Sequence, residues 1–208
     1  MIFVHPCAHF RHRFPHAIWR GESDERCVYL TFDDGPIPEI TPWLLDTLDQ
    51  YDVKATFFMV GDNANRHPEL VAEVVRRGHE VGNHTFHHLR GKKTSIGNYL
   101  DDINDCEEVQ KKQGAHSHLF RPPHGIIPKQ HIREVEKKGF QIVQWDIVTR
   151  DYNRHNTPEH ILWLVKRYVR PGSIITFHDS LRSEERLRIA LPAVIEYLQE
   201  QGYTFRTL

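Results

Sequence analysis

Val28-Tyr29-Leu30-Thr31-Phe32-Asp33-Asp34-Gly35-Pro36 starts as a buried strand and ends in two adjacent carboxylates and a turn. Val, Tyr and Leu suit a strand, and Gly-Pro turns the chain immediately after the acids. Neighbouring side chains of an extended chain point to opposite faces. Both aspartates can therefore serve one site only at the strand's C-terminal rim, where the backbone bends. Two like charges this close repel unless a cation neutralises one of them. The stretch asks for a metal ion whose other ligands come from elsewhere. Asp before Gly is also a common turn former. Taken alone, the dipeptide reads more readily as a plain loop, and the rest of the chain has to decide.

The 208 residues suffice for one full core. A single domain is expected, with an N-terminal arm over 1–26 packed on a body over 27–208. Lys+Arg 27 against Asp+Glu 28 gives no electrostatic case for nucleic acid or an anionic membrane surface. The 16 His are the anomaly, since imidazole is the commonest metal ligand. His5, His9, His12 and His16 recur at roughly helical spacing in the arm, but Pro6 and Pro15 weaken a helix there, and a solvated or packing arm is expected rather than a metal site. Cys7, Cys27 and Cys106 are far apart and odd in number, so reduced thiols are expected, with Cys27 and Cys106 buried. No run is long enough to span a membrane. Met1-Ile2-Phe3-Val4 is too short for a signal-peptide core before His5-Pro6, which makes the cytoplasm the expected location.

From Cys27 onward short apolar runs alternate with amphipathic segments. Strands are expected at Cys27–Phe32, Ala55–Val60, His79–Gly82, Leu119–Arg121, Gln141–Val148, Ser173–Phe177 and Tyr203–Phe205. Helices are expected from Thr41 (as cap, with Pro42 at the first position), at Pro68–Arg77, Ser95–Lys112 and Pro128–Lys138, from Thr157 to before Pro171-Gly172, and at Glu184–Gln201. About seven strands and six helices in alternation give an α/β fold with a parallel sheet, open or closed into a barrel. Every polar cluster follows a strand, and the C-terminal rim of such a barrel is where active sites lie.

His84-Thr85-Phe86-His87-His88 supplies two imidazoles four residues apart, able to share one face and grip one ion. With one carboxylate they form a two-His, one-Asp set with open positions, suited to catalytic zinc and also to ferrous iron. His87, one residue off, is expected to be exposed or behind the ligands. Arg121-Pro122-Pro123-His124-Gly125 is a stiff loop rooted in a cation, and its backbone could aim the amide N–H near His124 at an oxyanion. Arg121 alone would equally be a structural ion pair. Trp145-Asp146, Arg150-Asp151-Tyr152 and Phe177-His178-Asp179 follow later strands.

In this ordered set the chain resembles the NodB-type polysaccharide deacetylases of carbohydrate esterase family 4. All five family motifs have counterparts between Val28 and Asp179. The resemblance implies an irregular (β/α) barrel and a metal, usually zinc, held by Asp34, His84 and His88. It implies Asp33 as general base, Arg121 holding that base ionised, and His178 as general acid with Asp151 behind it. It also implies substrate or oxyanion contacts from the His124 loop, Tyr152 and Trp145. Physics asks for the same parts: a divalent ion to polarise an amide carbonyl, and an acid and a base in opposite protonation states at one pH. The family usually has Tyr where His124 stands, Trp at Tyr152 and Leu at Thr176, departures that bear on substrate more than on chemistry.

The expected activity is removal of N-acetyl groups from an N-acetylhexosamine unit, with an acylated sugar or glycan as partner. Rival readings are sugar O-acetyl ester cleavage, deformylation of a lipid-linked sugar, a non-catalytic sugar-binding module and a ferrous oxygenase.

Overall fold

A computed structural model describes residues 4–7, 11–21 and 25–208. His9 and Met1 to Phe3 of the arm lie outside the described residues. Eight parallel strands form one curled sheet: β1 (Cys27–Asp33), β2 (Thr56–Met59), β3 (Glu80–Asn83), β4 (Leu119–Phe120), β5 (Gln141–Ile142), β6 (Ile147–Val148), β7 (Ser173–His178) and β8 (Thr204–Phe205). Their order is β5-β4-β3-β2-β1-β7-β6, and β8 pairs with the first residues of β1. The helices are α1 (Thr41–Gln50), α2 (Gly61–Arg66), α3 (Pro68–Arg76), α4 (Ile96–Lys112), α5 (Lys129–Lys137), α6 (Pro158–Tyr168) and α7 (Glu184–Glu200). The fold is the irregular (β/α) barrel of the sequence reading.

The period-2 alternation of β1 divides the molecule. Val28, Leu30 and Phe32 face outward into the main apolar core, with Leu44, Leu45, Val194 and Leu198 from the surrounding helices. Phe32 stacks between Phe57 of β2 and Phe177 of β7, with ring centroids 5.2 and 5.9 Å away. Cys27 and Tyr29 face inward with Phe58, Val143 and Ile174, forming an apolar plug at the barrel's base. The same inward row continues through Thr31 to Asp33, because successive inward residues are two apart. The hydrophobic base thus excludes water from below, and the row turns polar only at the rim.

The long strand expected at Gln141–Val148 is two short ones, β5 and β6, at opposite edges of the sheet. The chain crosses between them in a single step, with no helix intervening. The arm fills the gap: Ile18 bridges Val143 and Arg20 bridges Ser173, while Val148 donates its N–H to the Val4 carbonyl at 2.9 Å. Bare sheet edges are a liability that the arm covers. Asp146, fully buried, fixes the arm by accepting from Arg11 (2.6 Å), Arg170 (2.6 and 2.9 Å) and Ser173 (2.8 Å). Burial pushes its carboxyl up, but those donors outweigh burial and hold it below the usual range.

Two smaller expectations also shift. Helix α2 was not foreseen, because Gly61-Asp62-Asn63-Ala64-Asn65-Arg66 has no apolar periodicity. Thr41 does not cap α1: its hydroxyl accepts from the Ile37 N–H (2.8 Å) and donates to Asp179 (3.2 Å). Cys7, Cys27 and Cys106 form no disulfide among the described residues, and the last two are buried, as expected.

Replacing Asp146 with Ala is expected to lower the unfolding free energy by about 2–3 kcal/mol, below the 3–5 typical of a broken buried pair because Arg11 and Arg170 can reach water. Urea denaturation measures this, and an unchanged midpoint would remove Asp146 as the arm's anchor.

Candidate active site

At the C-terminal rim, loops after β1, β3, β4, β6 and β7 line a groove of about 350 Å³ that includes Asp33, Asp34, His84, His88, His124 and His178. Register accounts for the meeting. Asp33 pairs with His178 across β1 and β7, so in parallel strands their side chains leave the same face side by side. Asn83, the last residue of β3, pairs with Phe120, which places His84 and Arg121 next to each other.

The two aspartates part at once. Asp33, 4% exposed, ends the regular strand and receives Arg121 Nη1 at 2.6 Å. Asp34 bends away at φ 89° and meets the imidazoles, with Oδ1 3.3 Å from His88 Nε2 and 3.7 Å from His84 Nε2. Ligands about 2.0–2.1 Å from one tetrahedral ion lie roughly 3.3 Å apart, so these spacings suit a divalent metal. Among the described residues this is the one group of three or more His, Cys, Asp or Glu so clustered, with all ligand atoms within 4.8 Å. His84 Nδ1 lies 2.7 Å from the Arg121 carbonyl, which assigns its proton there and leaves the Nε2 lone pair facing Asp34. Burial pushes His84 down to about 4, so the ring is neutral as a ligand must be.

Arg121 has no exposed surface. Besides Asp33 it donates to Thr31 Oγ1 (2.7 Å) and the Gln144 carbonyl (3.0 Å), and it lies 4.1 Å above the Phe58 ring. On the other side, His178 Nδ1 is 2.8 Å from Asp151 Oδ1, and its N–H donates to Asp151 Oδ2 at 2.8 Å. Burial alone would lower the His178 pKa, yet the Asp151 charge and hydrogen bond raise it to about 9. Tyr152 stands edge-on to His178 at 4.7 Å, while Trp145 and Thr176 complete the wall. His124 packs edge-on to His88 at 4.9 Å. All ten sequence-expected residues except Arg121 and Asp151 line the groove, and those two lie directly behind it.

Asp102 and Asn83 were missed, and Asp179 was quoted beside His178 without a role. Asp102 of α4 accepts from the N–H groups of Phe86 (2.8 Å) and His87 (3.0 Å) and lies 2.5 Å from His87 Nδ1. Asn83 Oδ1 accepts the Thr85 N–H at 2.9 Å, and its Nδ2 donates to the Ile103 carbonyl at 2.8 Å. Buried Asp179 accepts from the Gly35 N–H (2.9 Å); a Cβ on Gly35 would lie 2.0 Å from its Oδ2. The nearest signal was the Asp at an inward position of α4, where an acid has no reason to be unless it has donors to satisfy. Among the described residues six non-glycines take positive φ, and five sit at this rim: Asp34, Thr85, His88, His124 and Arg150. Each such conformation costs about 1–3 kcal/mol and persists only where surrounding contacts impose it.

What the barrel and the groove define together is a rim site in which Asp34, His84 and His88 could hold a metal ion. The family model for polysaccharide deacetylases matches residues 20–143. The peptidoglycan-N-acetylglucosamine deacetylase of Bacillus cereus is 35% identical over 192 residues, covering 91% of this chain and 90% of its own. The peptidoglycan-N-acetylmuramic acid deacetylase PdaA of Bacillus subtilis is 33% identical, covering 92% of this chain and 73% of its own. A crystal structure of the Bc1960 peptidoglycan N-acetylglucosamine deacetylase superposes with a TM-score of 0.87 at 35% identity, covering 91% and 89% of the two chains. The chain belongs to the polysaccharide deacetylase family, the NodB-type enzymes of carbohydrate esterase family 4.

Replacing Asp102 with Ala is expected to weaken divalent-metal binding about 10–100-fold, the usual cost of losing a group that orients metal ligands, with the fold retained. Competition against a chromogenic chelator reads this, and unchanged affinity would show that the loop keeps its shape without Asp102.

Proposed function

We propose that this chain hydrolyses the acetamido bond of an N-acetylhexosamine unit in a peptidoglycan-type glycan, using zinc held by Asp34, His84 and His88. The observation that carries the reading is the division of labour at the rim: one aspartate tied to a buried arginine, the other turned toward two imidazoles. Bound there, the ion would polarise the acetyl carbonyl and make water more acidic.

The remaining work falls to the chain's own side chains. Asp33 has Oδ1 committed to Arg121, which leaves Oδ2 to take the proton of the attacking water. His178, its Nδ1 proton directed at Asp151, keeps Nε2–H to protonate the departing amine nitrogen. Acetate and a free amino sugar are the products. The stiff Pro122-Pro123 turn holds the backbone N–H of His124 for the developing oxyanion, so the family's usual Tyr can be His here without loss of that donor. Thr176 shares a hydrogen bond with Thr31 at 3.0 Å, so its hydroxyl is satisfied and its methyl is left for the acetyl group.

The arm at 1–26 and the body at 27–208 are read as one folding unit, an assignment supported by the bonds of Arg11, Ile18 and Asp146. No helix of the described residues is long and apolar enough to cross a membrane. A wall glycan would put the reaction outside the cell membrane, whereas the cytoplasmic expectation would call for a soluble acylated sugar. Acetate and formate release from a panel of N-acetylated polymers, soluble sugars, O-acetyl esters and formylated lipid-linked sugars tests the substrate class. Acetate from the amide substrates is expected, and acetate from esters alone would overturn the reading.

Asp33→Asn is expected to keep a full equivalent of zinc while kcat falls about 10²–10⁴-fold, the range for losing a general base. Elemental analysis beside the rate measures it, and loss of metal would contradict the roles. For Asp151→Asn the sign follows from burial: without the carboxylate, burial dominates and the His178 pKa falls. The alkaline decline of kcat, expected near pH 9 in the parent, should move down by about one unit or more. A pH–rate profile with an unmoved alkaline limb would remove His178 as the acid.

A further inference from the structure

Several arginines of this surface have carboxylate partners. Arg66 pairs with Asp62, Arg77 with Asp46, Asp49 and Glu73, Arg170 with Asp146 and Arg188 with Glu184. Two that have none stand at the mouth of the groove. Arg90 and Arg182 both line the groove, both are exposed, and neither forms an ion pair among the described residues. The two acids of the groove floor are already committed, Asp33 to Arg121 and Asp34 to the imidazoles.

Arg90 is not loose. Its Nε donates to His124 Nε2 at 3.2 Å, and the His124 ring stands edge-on to the proposed ligand His88. That contact fixes the side chain one imidazole away from the metal site and uses none of its Nη donors. Arg182, in the loop after β7, comes from the other side of the reacting centre, near Tyr152. Two cations over a groove with no anion of their own focus a positive potential on whatever enters it. A guanidinium fork matches a carboxylate in plane and can bond it twice.

Resting on the deacetylase reading above, we propose that Arg90 and Arg182 form an anion subsite that takes a carboxylate carried by the acylated saccharide. In the glycan class proposed, that group is the lactyl ether carboxylate of an N-acetylmuramic acid unit. The subsite makes the enzyme prefer the acidic N-acetylhexosamine over the neutral one, and a lactyl group capped as an amide or ester loses that advantage.

The test compares three substrates on the zinc-loaded full chain: an oligosaccharide with a free muramic carboxylate, its methyl ester, and a neutral N-acetylglucosamine oligomer. Parent, R90Q, R182Q and the double variant are measured, with circular dichroism to check folding. The parent should favour the acid over its ester about tenfold in kcat/KM, mainly through KM, and the preference should shrink with added salt. The double variant should bring the ratio close to one. Equal use of acid and ester by the parent, or a ratio untouched in the double variant, overturns the subsite. If no substrate releases acetate, the deacetylase reading fails. Equilibrium binding of acid and ester to the same four proteins then decides the subsite by itself, with tighter binding of the acid only where the arginines are present supporting it.

Discussion

A guanidinium with no exposed surface stands inside the barrel mouth, and the site is arranged around its need for partners. Removing Arg121 from water is costly unless every side of it is met. Asp33 and Thr31 of β1 meet it from one strand, the Gln144 carbonyl from beyond β5, and the Phe58 ring from beneath. Its Nε remains without a partner, so the cage is not perfect. This one pairing explains why two adjacent aspartates can behave differently. The first is held straight by a permanent countercharge, and the second is free to bend toward the two imidazoles.

The two functional imidazoles show how environment divides one residue type into opposite roles. His84 and His178 are both deeply placed, and burial alone would neutralise each. His84 has a backbone carbonyl behind it and falls to about 4, leaving a lone pair for a metal. His178 has the fully buried Asp151 carboxylate behind it and rises to about 9, leaving a proton to give. Two imidazoles of one rim thus hold opposite protonation states at one pH, one suited to ligation and the other to proton donation. The rim loops carry backbone strain to achieve this, and Asp102, Asn83 and Asp179 hold them in place.

Much of the fold and site was legible in the sequence because the motifs sit at strand ends, where Gly and Pro mark the turns. The Asp33–Asp34 pair, the His84/His88 spacing and the Arg121-Pro122-Pro123 turn are each ambiguous alone, and their order along the chain gives them one chemistry. What escaped was set by distant partners. Gln141–Val148 reads as one strand because its apolar content is continuous, and only the sheet's closure by Ile18 and Arg20 divides it. Asp102 is an acid on the buried face of α4, and only the N–H groups of Phe86 and His87 explain why it is there. The role of Thr41 likewise depends on Asp179, some 138 positions away.

The central claim is that the metal belongs to Asp34 and not to Asp33. Anomalous diffraction at the zinc edge from zinc-loaded crystals tests it most directly. The account expects a single peak bonded to Asp34, His84 Nε2 and His88 Nε2, with Asp33 still on Arg121. A peak bonded to Asp33, or one away from the two imidazoles, would contradict it.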